Sequence, residues 1–259
     1  MALRIGCVSY LNSTPLVWGL DDDPQLEIIY EVPAKLLDLL LSDRCDVALL
    51  PAIDYHGAGD LVLVPSSCIG ADGPVYTVRI FSRVHLESVT TVCADVESHT
   101  SVALCRILMH HLYGRDIKLV DDAAAADAIL LIGDKVVTSA PAGHPYQLDL
   151  ADAWKLWTKL PFVFATWMSR RGRDLGEAPQ KLSAAMNGGM AHVEEIVARN
   201  AAAHGWPSAM AHHYLTHLLK FPIDLTPGAP QRMAMESFYQ HSYDLGLIGK
   251  PRAVELYRP

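Results

Sequence analysis

Arg4-Ile5-Gly6-Cys7-Val8-Ser9-Tyr10-Leu11-Asn12-Ser13-Thr14-Pro15-Leu16 sets the terms of the fold. A run of strand length gives way to a polar loop, and a proline follows. Proline suits the first helical position because the N–H it lacks would be unpaired there. Pro33 and Pro51 repeat the arrangement, each after an apolar run. Working outward, strand-like segments fall at about 4–8, 26–32, 46–50, 61–64, 75–82, 89–93, 117–120, 128–132 and 162–167. Strands alternating with helix-length segments predict an α/β chain with a mostly parallel sheet. Beyond Trp167 the pattern is helical: Pro179 to about His204, Pro207 to Leu219, and about Gln231 to Leu245. The C-terminal third shows no clear strand.

The 259 residues suffice for one large domain or two modest ones, yet no Gly/Ser/Pro linker divides them. Two lobes sharing more than one chain crossing reconcile these facts, with Val75 to Ser82 and Phe162 to Trp167 as the candidate crossings. Hydrophobic residues make up 51% and charged residues 19%, so a disordered chain is excluded. The formal charge of −8 supplies no basic face for nucleic acid and none for an anionic membrane surface. An anionic ligand must then be held by local amides and hydroxyls. Five cysteines with no C-x-x-C pair argue against a disulfide framework or a metal cluster, and they suit a reducing compartment. With no export signal and no apolar run near the ~20 residues that span a bilayer, a cytoplasmic protein is expected.

G-x-G-x-x-G, G-x-x-x-x-G-K-[ST], H-E-x-x-H and G-x-S-x-G are all absent, so nucleotide cofactors lose most of their support. His213 and His217 share a helical face, but no carboxylate or cysteine completes a metal site nearby. Trp154 and Trp157 read as packing residues on a helix. Two polar loops between a strand and a helix are better candidates: Ser9 to Thr14, and Glu97-Ser98-His99-Thr100-Ser101. Each presents hydroxyls and unpaired N–H groups at a helix start, an anion-binding geometry whose plain alternative is N-capping. A third segment, Ser66 to Thr77, contains Gly70, Gly73 and Pro74 and reads as a sharp backbone excursion.

Taken together, the segments Arg4 to Leu16, Asp46 to Pro51, Gly70 to Thr77, Ser98 to Ser101, Ala128 to Asp134, and Asp149-Leu150 through Trp154 to Ala165 resemble the chorismate dehydratases, which open the futalosine route to menaquinone. Ser-Tyr-Leu-Asn and Leu-Pro-Phe-Val-Phe-Ala are the most specific matches. The resemblance implies a two-lobed periplasmic-binding-protein-like fold of the second type, with a cleft between lobes, two chain crossings and no cofactor. Residues 1–80 and 168–259 would form the first lobe, and residues 81–167 the second. It also implies dehydration of chorismate, a small dianionic substrate, to 3-((1-carboxyvinyl)oxy)benzoate. By position in the motifs, Asn12 becomes the catalytic residue that orients the reacting groups. Ser9, Tyr10, Ser13, Gly73, Val75, Thr77, Ser98, His99, Thr100, Ser101 and Asp134 become substrate-binding residues.

An amide is a poor proton acceptor. The substrate's side-chain carboxylate is therefore the favoured base, with His99 or Asp134 as the competitor. The chain departs from the family pattern at Thr77, where Ser is expected, at Lys159, where Gly is usual, and at Lys135-Val136-Val137. The rival readings are a non-catalytic solute-binding protein for a small carboxylate and the related 1,4-dihydroxy-6-naphthoate synthase, whose Ser-Pro-Cys-Pro-Asn-like loop differs from this one. A ligand-sensing regulator domain is opposed by the lack of a basic helix-turn-helix segment. Oligomeric state is left open.

Overall fold

The computed structural model describes residues 2–94 and 98–258, so Glu97 of the second polar loop lies outside the described residues. In chain order the elements begin with β1 (Leu3–Cys7), a 3-10 helix Leu11–Val17, β2 (Leu26–Tyr30), α1 (Pro33–Leu41), β3 (Val47–Pro51), a 3-10 turn Ala52–His56 and β4 (Leu61–Ala71). Then come β5 (Val78–Ser82), β6 (Thr91–Ala94), α2 (His99–Tyr113), β7 (Lys118–Val120), β8 (Ala128–Ile132), α3 (Lys135–Thr138), β9 (Tyr146–Asp149) and α4 (Leu150–Thr158). The chain continues through β10 (Phe162–Arg170), α5 (Ala178–Ala191), α6 (Val193–Asn200), α7 (Ser208–His213), a π-helical turn Tyr214–Leu218, β11 (Leu219–Lys220) and α8 (Pro230–Asp244).

Two sheets result. The first has six strands in the order β11-β4-β10-β3-β1-β2, and the second has five in the order β7-β6-β8-β5-β9. Sheet membership changes between Ala71 and Val78 and again between Asp149 and Phe162. Both sheets are mixed rather than mostly parallel. β1 runs parallel to β2 and β3, whereas β10 returns antiparallel to both β3 and β4. In the second sheet, β6 is parallel to β7 and β8, and β5 is antiparallel to β8 and β9.

Several element boundaries differ from the sequence reading for physical reasons. β4 runs on through Pro65 to Ala71; the proline is exposed and sits where the pairing with β10 slips register, the place a strand tolerates a missing N–H. β5 starts only at Val78, because the amides of Val75 and Tyr76 turn aside to the Asp149 carboxylate. The helix expected from Pro15 is a 3-10 helix that begins at Leu11 and contains the proline. Pro179 to His204 is two helices, α5 and α6, broken at His192. β11, in the supposedly strandless third, pairs with Ala71 and Gly70 of β4.

The core is continuous and includes fully buried Trp154 and Trp167, whose indole N–H groups donate to Pro161 O at 3.0 Å and Ser67 Oγ at 2.8 Å. No helix among the described residues is long and apolar enough to cross a membrane, and no group of three metal-ligating side chains occurs among them. The rings of His213 and His217 stack on each other at 4.8 Å.

Candidate functional site

A cavity opens where the two sheets face one another, at the ends of β1, β3, β5, β8 and β10. The cavity volume is about 80 Å³, room for several waters where one needs roughly 10–15 Å³. Its apolar lining includes Val8, Leu49, Ile69, Val75, Ile132 and Phe164, and its polar lining is Tyr10, Asn12, Thr77, Ser98, Thr100 and Ser101. Among the described residues, no Asp, Glu, His, Lys or Arg lines it. An anion inside would meet hydroxyls, an amide and backbone N–H groups only.

The loop after β1 is built to present Asn12. Ser13 is buried, and its hydroxyl donates to Val8 O at 2.6 Å or Tyr10 O at 2.8 Å, while Thr14 Oγ1 donates to Leu11 O at 2.8 Å. Leu11 is fully buried on one side of Asn12 and Ser13 on the other, so Asn12 is anchored through both neighbours. Asn12 Nδ2 donates to Tyr214 Oη at 3.3 Å, and Asn12 Oδ1 is buried with no hydrogen-bond partner. Tyr214 Oη also pairs with Thr77 Oγ1 at 2.8 Å. Burial pushes the Tyr214 hydroxyl well above its ordinary pKa, so it stays protonated.

α2 supplies the opposite wall. Ser98 caps it, its Oγ accepting from Ser101 N at 3.4 Å, and the helix carries its N-terminal partial positive charge into the lining. Thr100 Oγ1 accepts from Ile53 N at 3.2 Å; a hydroxyl that accepts still has its own proton to donate. The segment before β5 is organised by Asp149. It takes the N–H of Val75 at 3.1 Å and of Tyr76 at 2.6 Å while capping α4 through Ala151 N and Asp152 N. This bends Tyr76 to φ 69°, a conformation a non-glycine residue adopts only when its surroundings enforce it.

The structure brings Tyr10, Asn12, Val75, Thr77, Ser98, Thr100 and Ser101 together around the cavity. It does not bring the remaining five sequence candidates there. Ser9 is exposed and outside the lining, and Ser13 spends its hydroxyl on the loop backbone. Gly73 is buried at φ 127° and supplies a turn rather than a contact. His99 points to the far side of α2, where Nδ1 meets Asp54 Oδ1 at 2.8 Å and lifts the imidazole pKa. Asp134 is spent on three donors: Leu11 N at 3.3 Å, His204 Nδ1 at 2.8 Å and Trp206 Nε1 at 2.7 Å.

Sequence reasoning missed Tyr214, Trp206 and Asp149. Trp206 stacks on Tyr214 with centroids 4.8 Å apart and planes at 15°. Asp149 had a signal, since an Asp before a helix-forming run is an N-cap. Tyr214 had none.

A family model described as menaquinone biosynthesis matches residues 3–244. The chain belongs to that family. This member of the menaquinone-biosynthesis family is 29% identical over 257 residues to a curated relative, the chorismate dehydratase of Thermus thermophilus, with 90% of this chain and 93% of the relative covered. Among solved structures it resembles protein AF1704 from Archaeoglobus fulgidus, at a TM-score of 0.72 and 18% identity over 95% of this chain and 98% of that one. It also resembles the alkanesulfonate-binding protein SsuA from Xanthomonas axonopodis pv. citri, at 0.70 and 16% over 98% and 96%. A Candida albicans protein described as having the generic periplasmic binding protein fold matches at 0.60 and 11%, over 100% of this chain and 98% of that one. The family member therefore has the periplasmic-binding-protein fold.

Proposed function

We propose that this chain is a hydro-lyase that converts chorismate to 3-((1-carboxyvinyl)oxy)benzoate in the intersheet cavity. The observation that carries the reading is a cavity lined by neutral donors from the Asn12 loop, Thr77 and the α2 N-terminus, in a chain of the menaquinone-biosynthesis family with a chorismate dehydratase relative. We take the two sheets as the two lobes of a clamshell, and cysteines with no disulfide between them among the described residues suit work in the cytoplasm.

The chemistry needs little from the protein. The C3–H bond breaks, its electron pair forms a ring double bond, and the C4–O bond breaks. The proton and hydroxide leave as water, and the ring becomes aromatic. Positioning and electrostatic support suffice for such a reaction. Helix-terminal amides and the hydroxyls of Thr77, Ser98, Thr100 and Ser101 would hold the carboxylates.

A base inside the protein finds little support. His99 faces Asp54 away from the cavity, and Asp134 already accepts three hydrogen bonds. The substrate's enolpyruvyl carboxylate, carried on C3 itself, is the base in this reading. Mixing the purified chain with chorismate and following the product by ultraviolet absorption and mass spectrometry tests it. Multiple turnovers to a product one water lighter are expected. Chorismate recovered unchanged would instead support a non-catalytic solute-binding protein.

A further inference from the structure

Tyr214 lies in the helical C-terminal third, where no sequence motif pointed, yet its hydroxyl touches two residues of the cavity wall. Oη receives Asn12 Nδ2 at 3.3 Å and pairs with Thr77 Oγ1 at 2.8 Å. The ring is fully buried and held flat against Trp206, whose indole N–H is in turn fixed on Asp134. A phenol carries one proton. When Tyr214 gives that proton to Thr77, it can only accept from Asn12, so the amide shows its NH₂ to Tyr214. Asn12 Oδ1 is then left as a buried acceptor with no partner, on a residue that lines the cavity. Such an acceptor is costly until a ligand supplies a donor. Chorismate with both carboxyl groups ionised has a single hydrogen-bond donor, the hydroxyl on C4, which is the group the reaction expels.

We propose that Tyr214 is a positioning residue: it fixes the rotamer of the Asn12 amide so that Oδ1 faces the cavity and receives the C4 hydroxyl of the substrate. The inference rests on the chorismate reading and adds to it the group that Asn12 contacts and the residue that aims it. Asp134 and Trp206 acquire a role in the same chain of contacts, since they hold the Tyr214 ring in place.

The test is a double-mutant cycle on chorismate turnover. Tyr214→Phe keeps the ring stack and removes only the hydroxyl. It should lower kcat by about 10- to 100-fold while the chain stays folded with a moderately lowered Tm, since Asn12 Nδ2 and Thr77 Oγ1 each lose a buried partner. In an Asn12→Ala background the same change should cost less than about twofold, because there is no amide left to aim. A buried hydroxyl with a merely structural role would give equal losses in both backgrounds, and that outcome overturns the proposal. So does an unchanged kcat in Tyr214→Phe. Binding of the 4-deoxy analogue of chorismate supplies a second readout. Wild type should bind it more weakly than chorismate, and Tyr214→Phe should narrow that gap; a gap unchanged in the variant counts against the proposal. A wild-type chain that yields no aromatic product fails at the chorismate reading itself, which separates that failure from one confined to Tyr214.

Discussion

Asn12 is held by what surrounds it rather than by its own side chain. Leu11 and Ser13 are buried anchors on either side, and the amide is left between Tyr214 and the cavity. Asn12→Asp preserves shape but, under the proposed function, places a negative charge opposite a dianionic substrate, in a described lining with no cation to offset it. Its kcat should fall by at least about 100-fold, on the scale of losing one preorganised contact at a reacting oxygen. A kcat near wild type, measured by product absorbance, would refute this placement. The Asn12 loop and the α2 start were legible in the sequence because hydroxyls and amides between a strand and a helix announce a possible anion cradle on their own. Asp149 and Tyr214 were not, because their meaning lies in partners 74 and 202 residues away, Val75 and Asn12. His99 and Asp134 misled for the same reason. Their position in a motif is visible in sequence, but the Asp54, His204 and Trp206 that engage them are not.

At the scale of elements, α5 presses on the loop that carries Asn12. A Cβ on Gly189 would come within 2.6 Å of Pro15 Cα and 2.9 Å of its carbonyl carbon, backbone atoms that cannot step aside. Gly189→Ala should therefore destabilise the fold by about 1–3 kcal/mol and lower turnover by shifting Asn12. Denaturant unfolding with a parallel activity assay checks it, and an unperturbed variant would show that the helix and loop give way easily. α8 docks on α2 and α4 through a ring cluster in which His111 stacks on Trp157 at 4.8 Å and His241 lies 4.9 Å from the same indole. Burial first, and then their mutual proximity for His241, lowers the pKa of both imidazoles below 6.5.

A lowered imidazole pKa means the unfolded chain takes up protons before the folded one does. These residues then contribute stability that is present above about pH 6.5 and is lost as pH falls below it. His56, pushed down to about 4 by burial and by Arg252, acts in the same direction. His99, with its pKa raised by Asp54, acts oppositely, its contribution fading as pH rises. The large depression at His56, reinforced by His111 and His241, predicts a Tm that drops between pH 7 and pH 5, with a shallower drop in a His111→Gln/His241→Gln variant. A Tm rising toward pH 5 would contradict the assignment. The helices and most strands were readable from periodicity and prolines, whereas the two-residue β11 is too short to show any period and β9, Tyr146-Gln147-Leu148-Asp149 with no fully buried position, has no apolar run to mark it.

For the whole molecule, the charge of −8 meets, under the proposed function, a substrate of the same sign, and the cavity offers no lysine or arginine among its described lining. Association should be opposed at long range and helped by screening. Raising salt from low to physiological ionic strength is expected to increase kcat/KM by a few-fold, roughly. A decrease would reveal a cationic approach path. The two-sheet plan followed from alternating strands and helices together with the missing linker, but the mixed strand directions did not. Pairing direction depends on which strands become neighbours, as when β10 enters between β3 and β4.

Wild type and Asn12→Ala are each given excess chorismate, with product followed by absorbance and binding by calorimetry. The account predicts sustained formation of the aromatic product by wild type, and chorismate that binds but is converted at least about 100-fold more slowly, at a still measurable rate, in the variant. Equal turnover by the two proteins would contradict it.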